Sequence, residues 1–366
     1  MRYGRRKQTK EQDVGDRVMA GVSTPARSQR PSGREPCQRW RLWCLSVLAL
    51  CWGSTGLCTS AVHHADQAHP IRLGALTESW GPTPAIVGLR DGLVELGYRD
   101  DTDFVLGVRF TQGDRTALAG AAQELVDADA ALLFADSNST ATALQHVTPR
   151  LPIVFAAVED PVGSGLVQSF ARPGGNITGV ASLDIELGPK RLQIFQELVP
   201  ALHRVLFLYA ATDVYAQEAA TAYREAARRL GITLVEQVVH TPEQVQTLLA
   251  HLRQHQVDGL LAPRCCALNI SGFLLTAATE QLIPAMFATD VYWIERGALA
   301  SFGSNTYLSG RQAARLVDKI LRGAAPAQIP VEVNTKIQFT INLQTVEALG
   351  LVLAPDVLYQ VDQIVR

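Results

Sequence analysis

The chain has 366 residues, 47% hydrophobic and 19% charged, a globular composition with ample core material and a length that suits about two domains. Its net charge of -2 is unevenly spread: residues 1–61 carry 11 Lys+Arg against 4 Asp+Glu, leaving -9 on residues 62–366. A mildly acidic body argues against a nucleic-acid partner, whose phosphates require clustered Lys and Arg.

The basic head comes first. Arg34, Arg39 and Arg41 precede an apolar run from Leu42 to Leu57, and Thr59-Ser60-Ala61 supplies small residues at the cleavage-determining positions. This is the layout of a signal peptide, so residues 1–61 are expected to be a basic leader and export signal. Gly53, Ser54, Thr55 and Gly56 make the strongly apolar part short for a membrane span, although a retained leader would act as an anchor. The stretch before Pro36 is long for such a leader, and Met19 offers an alternative start. Cys37, Cys44, Cys51 and Cys58 all lie in the leader, and the leucines before Cys51 and Cys58 disfavour lipidation. His63, His64 and His69 read as a solvated segment rather than a metal site.

From Ile71 onward, β-rich runs alternate with helical ones. Ile71–Leu76 reads as a strand. Pro84–Leu96 reads as a helix with Ile86, Leu89, Leu93 and Leu96 on one face and Gly97 as its stop. Phe104–Phe110 is the next strand and Thr116–Val126 a helix; Ala130–Ala135 and Pro152–Ala157 are buried strands around a helix at Thr140–Val147. Such a βαβ series implies a parallel sheet with helices on both faces.

The rhythm then restarts. Pro189–Leu198 is helical, Arg204–Tyr209 a strand, Tyr215–Leu230 a helix closed by Gly231, and Ile232–Val238 a strand. Thr241, Pro242 and Gln244 form a helix-start pattern, and Val257–Ala262, Ile283–Phe287 and Ala298–Ser301 are further strands. Gly310–Leu321 is a helix. Glu95-Leu96-Gly97-Tyr98 and Arg229-Leu230-Gly231-Ile232 hold equivalent places in the two series. The expected class is α/β, with two doubly wound, Rossmann-like lobes in tandem.

Between the two series lie Asp160-Pro161-Val162-Gly163-Ser164-Gly165-Leu166-Val167 and Ala171-Arg172-Pro173-Gly174-Gly175-Asn176-Ile177-Thr178-Gly179-Val180. Together with Pro189-Lys190-Arg191-Leu192-Gln193-Ile194-Phe195, Gly310-Arg311-Gln312-Ala313-Ala314, Ile320-Leu321-Arg322-Gly323 and Ile341-Asn342-Leu343-Gln344-Thr345, they give the chain its resemblance. From about Ile71 to Arg366 it resembles the ABC-transporter solute-binding proteins of the tryptophan/tyrosine-binding type, built on the type I periplasmic-binding fold. The resemblance implies a multi-crossing hinge between the lobes, a helix at 310–321 that returns to the first lobe, and a terminal helix over Val357–Val365. The expected division is 71–178 plus 302–329 for the first lobe and 179–301 plus 330–342 for the second, with 343–366 a C-terminal helical segment. Three hinge crossings suit a closing movement between rigid lobes.

A two-lobed binder holds its ligand between the carboxyl ends of its sheets. Beyond the first strand stand Glu78, Ser79 and Trp80, the last able to stack on a ligand or to pack on the lobe surface. Beyond the third stand Asp136, Ser137, Asn138 and Ser139 at a helix start, able to receive a carboxylate, to cap the helix, or both. Asp160 and Pro161 follow the fourth; Asp160 either accepts an ammonium group or stabilises its turn. In the second lobe, Asp213 and Arg264 lie past strand ends, and Arg264 is either a carboxylate clamp or a surface arginine. Asp290 is a weaker candidate, and the resemblance adds Asn305 and Tyr307, near which relatives often place an Asp or Asn. Aromatic-amino-acid binders tend to carry a Gln and a His-Pro in the first loop, where this chain has Thr77-Glu78-Ser79-Trp80, so the pocket chemistry is changed.

Enzymatic motifs are missing. Gly163-Ser164-Gly165 opens like a dinucleotide fingerprint but ends on Gln168, and there is no Walker A, His-Glu-x-x-His or Gly-x-Ser-x-Gly sequence. Cys265 and Cys266, about 3.8 Å apart as sequence neighbours, are too close for an unstrained disulfide and read as free thiols. No catalytic residue, cofactor or metal is expected. The reading is an extracytoplasmic binder of an amino acid or related zwitterion or carboxylate, with an inner-membrane ABC permease as the partner the resemblance implies. The alternatives are a periplasmic sensory module of the same fold, a LacI-like repressor core, which would need an N-terminal helix-turn-helix, and a cleft enzyme.

Overall fold

A computed structural model of the chain describes residues 69–366 apart from 253–255, 263, 265–266 and 289–290. The leader with its cysteines, His63, His64, Cys265, Cys266 and Asp290 lie outside the described residues. Among those described, no helix is long and apolar enough to cross a membrane.

The first lobe begins with β1 (Ile71–Thr77) and α1 (Pro84–Glu95), whose start is set by the Thr83 cap and by Pro84 at its first position. Then come β2 (Phe104–Phe110), α2 (Leu118–Asp127), β3 (Leu132–Ala135), α3 (Asn138–Val147), β4 (Ile153–Val158) and β5 (Ile177–Ala181). Strands β3, β4 and β5 are buried along their whole length, as a parallel sheet covered on both faces requires.

The chain crosses into the second lobe through α4 (Asp184–Leu198), β6 (Arg204–Ala210), α5 (Val214–Leu230), β7 (Thr233–Val239) and α6 (Pro242–Ala250). It continues with β8 (Gly259–Leu261), α7 (Ile270–Gln281), β9 (Ala285–Phe287), α8 (Val291–Ile294) and β10 (Ala300–Ser304). Helix α9 (Thr306–Leu321) returns to the first lobe with β11 (Glu332–Val333). Then β12 (Ile337–Asn342), α10 (Leu343–Ala348), α11 (Pro355–Leu358) and β13 (Gln363–Val365) complete the second.

The first sheet has six strands in the order β11-β5-β4-β3-β1-β2, all parallel. The second has seven, β13-β12-β10-β9-β8-β6-β7, with only the β10–β12 pairing antiparallel. Helix α9 lies against α1 with backbones touching. A Cβ at Gly310 would stand 1.9 Å from the Ala85 carbonyl oxygen, and one at Gly88 2.0 Å from that of Tyr307. Glycine in the Gly310-Arg311-Gln312-Ala313-Ala314 stretch is therefore what lets the second passage of the chain cover the first lobe.

Sheet membership shifts the expected boundaries. β5 stays paired with β4 through Ala181, so the first lobe runs past residue 178. β10 belongs to the second sheet through Ser304, and β11 pairs with β5, so residues 332–333 lie in the first lobe rather than the second. The tail is not a helix over Val357–Val365. Asp362 accepts from Phe339 N at 2.8 Å, which fixes the turn after α11 and sets β13 beside β12.

Three crossings join the lobes: Ser182–Leu183, Asn305, and residues 334–336. Asn334, almost wholly buried, ties them together. Its N–H donates to Ala181 O at 3.0 Å, and its amide donates to Asn305 O and Ser309 Oγ, each at 2.8 Å. Nearby, the buried Arg191 guanidinium of α4 donates to Phe302 O at 2.6 Å and to Asp184 and Tyr223. That contact explains why an arginine sits in an otherwise amphipathic helix.

Candidate functional site

The carboxyl edge of the first sheet is polar at every strand. The first residues past β5, β4, β3, β1 and β2, in spatial order, are Ser182, Glu159, Asp136, Glu78 and Thr111. All are buried except Asp136, which is partly so. This is the edge at which an α/β sheet holds its ligand.

Glu78 Oε1 receives Arg115 Nε at 2.8 Å, and its other oxygen receives the Ser139 hydroxyl at 2.5 Å. Arg115, on a short 3-10 turn before α2, also reaches the second lobe. It donates to Thr212 O at 2.9 Å and lies 3.9 Å from Asp213, a buried residue whose carboxylate caps α5 through Ala216 N. From the opposite lobe, Arg264 donates to the Glu159 carboxylate and to Ala157 O at 3.0 Å. Each lobe thus sends one arginine to the other, and the cleft is closed.

Asn138 clamps two strand ends. Its amide donates to Glu159 O at 2.8 Å and accepts from Glu159 N at 2.9 Å, and so holds the β4 loop beside α3. Ser137 and Thr140 form a reciprocal cap on α3. Burial raises the Glu159 carboxyl above the usual carboxylate range; Arg264 opposes this and Asp184 adds to it. Burial likewise pushes Asp136 up to about 6, against hydrogen bonding from Thr77 and Thr83. The Thr83 hydroxyl donates to Asp136 Oδ2 at 2.8 Å. Where the lobes meet, a cavity of about 470 Å³ is lined by Arg115, Asn138, Ser139, His146, Asp213 and Tyr215, a size that suits a small molecule.

Of the residues expected from sequence, Glu78, Asn138, Ser139, Asp213 and Arg264 come together at this interlobe surface. Ser137 stays in its cap, and the Ser79 hydroxyl donates to Gly81 O within its own loop. Trp80 is 52% exposed. Asp160 turns into its own loop, where its carboxylate accepts from Gly163 N at 2.8 Å, with Pro161 buried beside it. Asn305 caps α9 at the hinge and donates to Gln338. The Tyr307 hydroxyl donates to Asp91 of α1 at 2.9 Å, on the face where α9 meets α1.

Sequence reasoning does not single out Arg115 or Glu159, and it names Asp136 only together with the helix start that follows it. For the two acids the available signal is position: each is the first residue past an apolar strand. For Arg115 there is none, because Asp114-Arg115-Thr116 has the composition of an ordinary surface turn.

The family model for ABC transporter substrate binding proteins matches residues 80–365. A tyrosine-binding protein of Clostridioides difficile (strain R20291) is 27% identical over 283 residues, 77% of this chain and 81% of that protein. The structure of an ABC domain in complex with L-Trp from Streptococcus pneumonia superposes with a TM-score of 0.71 at 23% identity, covering 81% of this chain and 100% of that one. A conserved domain protein from Vibrio cholerae O1 biovar El Tor superposes with a TM-score of 0.73 at 26% identity, over the same shares.

Proposed function

The chain belongs to the ABC transporter substrate binding protein family, and from that premise we propose that it captures an amino acid between its lobes and delivers it to an inner-membrane permease. The observation that carries this reading is the reciprocal crossing of the cleft by Arg115 and Arg264. A ligand held between two such walls gains contacts with both only when the lobes are together. It therefore shifts the population toward the closed form by that difference in affinity, with no covalent step. The tyrosine-binding relative and the L-Trp complex favour aromatic amino acids as the first ligands to try. The basic leader fits export, which would place the body outside the cytoplasm, where a binding protein meets its solute.

A thermal-shift panel of amino acids, small carboxylates, amines, nucleosides and sugars tests the reading. A ligand at a hundredfold excess over Kd adds about 2.7 kcal/mol of stability, a shift easily read. A concentration-dependent rise for amino acids is the expected result. A flat panel, with the protein shown to be ligand-free by native mass spectrometry, would overturn it.

A further inference from the structure

We propose that Asp136 is the anchor for a protonated amine, so that an ammonium group is the feature of the ligand this cleft selects. The proposal rests on the binding function above and adds to it the residue and the chemical group.

Three acids stand side by side at the ends of β4, β3 and β1: Glu159, Asp136 and Glu78. The outer two are each matched by an arginine, Arg264 and Arg115. The ion pairs among the described residues leave the middle one without a basic partner. Its facing charged groups are Glu78 from the β1 loop, which repels it, and Arg264 from the second lobe, which attracts it from beyond ion-pair distance. Asp184 and Asp213, the other buried acids nearby, are occupied by Arg191 and by the α5 cap.

A carboxylate drawn out of water without a counter-charge is unfavourable and persists where something else supplies the charge. Thr83 fixes one oxygen and orients the group. A second observation also points to a polar ligand. Two strands away along the same edge, Thr111 is more than nine-tenths buried and its hydroxyl has no hydrogen-bond partner among the described residues, whereas the Ser182 hydroxyl at the other end is turned to Glu159. Asn138 and Ser139, two and three positions past Asp136, line the interlobe cavity. Asp160, the other acid suited to an amine, spends its carboxylate on Gly163 N.

Isothermal titration of the wild type, Asp136→Asn and Asp160→Ala decides the matter. The probes are L-tyrosine and L-tryptophan, each paired with its deaminated analogue, 3-(4-hydroxyphenyl)propanoate and indole-3-propanoate. The wild type should prefer the amino acid by tenfold or more. Asp136→Asn should lose that preference by weakening the amine-bearing probe alone, and Asp160→Ala should keep it. An unchanged amino-acid affinity in Asp136→Asn, or an equal loss for both members of a pair, overturns the assignment. A wild type that binds the deaminated analogue as tightly overturns it too, while leaving the binding function standing. A wild type that binds neither probe nor any other amine overturns both. Should Asp136→Asn not fold, the wild type itself answers. Its amino-acid affinity should fall several-fold between about pH 7.5 and 5.5 while that of the analogue does not, and a flat profile for both overturns the proposal.

Discussion

At the scale of single residues, the unmatched Asp136 has an energetic signature that is independent of any ligand. Its pKa is raised from 3.8 to about 6 in the folded chain, mainly by burial. The folded state therefore binds the proton more tightly than the unfolded one. The stabilising contribution is complete below about pH 4 and is lost as the pH rises through 6. Replacing Asp136 by Asn removes that loss, so the free protein should become more stable by about 1–3 kcal/mol at pH 7.5 and unchanged near pH 4, as read by thermal melts. A site that destabilises the free fold is common where function fixes the residue. At this scale the sequence was least legible. Glu78, Asn138 and Arg264 could be named from their places past strand ends. Asp160 met the same criterion, yet its neighbour Gly163 draws the carboxylate back into the turn. Local bonds of one to four residues decide where such a side chain points, and a strand-end rule does not contain them.

At the scale of elements, legibility was high wherever apolar period and punctuation agreed. Ile86, Leu89 and Leu93 with Gly97 define α1, and the apolar runs at 132–135 and 153–158 define β3 and β4. The tail departs from what the resemblance implies: instead of a helix over Val357–Val365, α11 ends at Leu358 and Gln363–Val365 form β13. Phe339 N donates to the Asp362 carboxylate and Asp362 N donates back to Phe339 O at 2.9 Å, and these bonds open the parallel β12–β13 ladder that holds the last residues as a strand. The α1–α9 contact supplies a paired test. Gly310→Ala would drive a methyl into the Ala85 carbonyl and should cost about 1–3 kcal/mol in urea unfolding. Gly120→Ala, on the exposed face of α2 with nothing within 4 Å of the new carbon, should instead add up to about 1 kcal/mol through helix propensity.

At the scale of the whole molecule, the closed cleft depends on few groups. Arg264→Gln removes the cation that balances buried Glu159 and breaks the bond to Ala157, so the free protein should open. Small-angle scattering should then give a larger radius of gyration for the variant, with the wild-type value regained on adding ligand. Asn334→Ala should act differently. It removes two donors from the point where all three crossings meet and should lower stability by about 1–3 kcal/mol, measured by denaturant midpoint. The two-lobed plan was legible from the repeated βαβ rhythm. The return of α9 and the allegiance of β11 were not, because those segments carry the same patterning whichever sheet they join.

That return of α9 also sets the order in which the chain is finished. A ribosome delivers β1 to β5 long before Gly310, so the first lobe leaves the tunnel with the apolar face of α1 uncovered and its edge strand β11 unmade. The second lobe is likewise open until β12 and β13 arrive. Neither sheet has its full set of strands until the chain is made past residue 332: the first is completed by β11 and the second only by β13, next to the C-terminus.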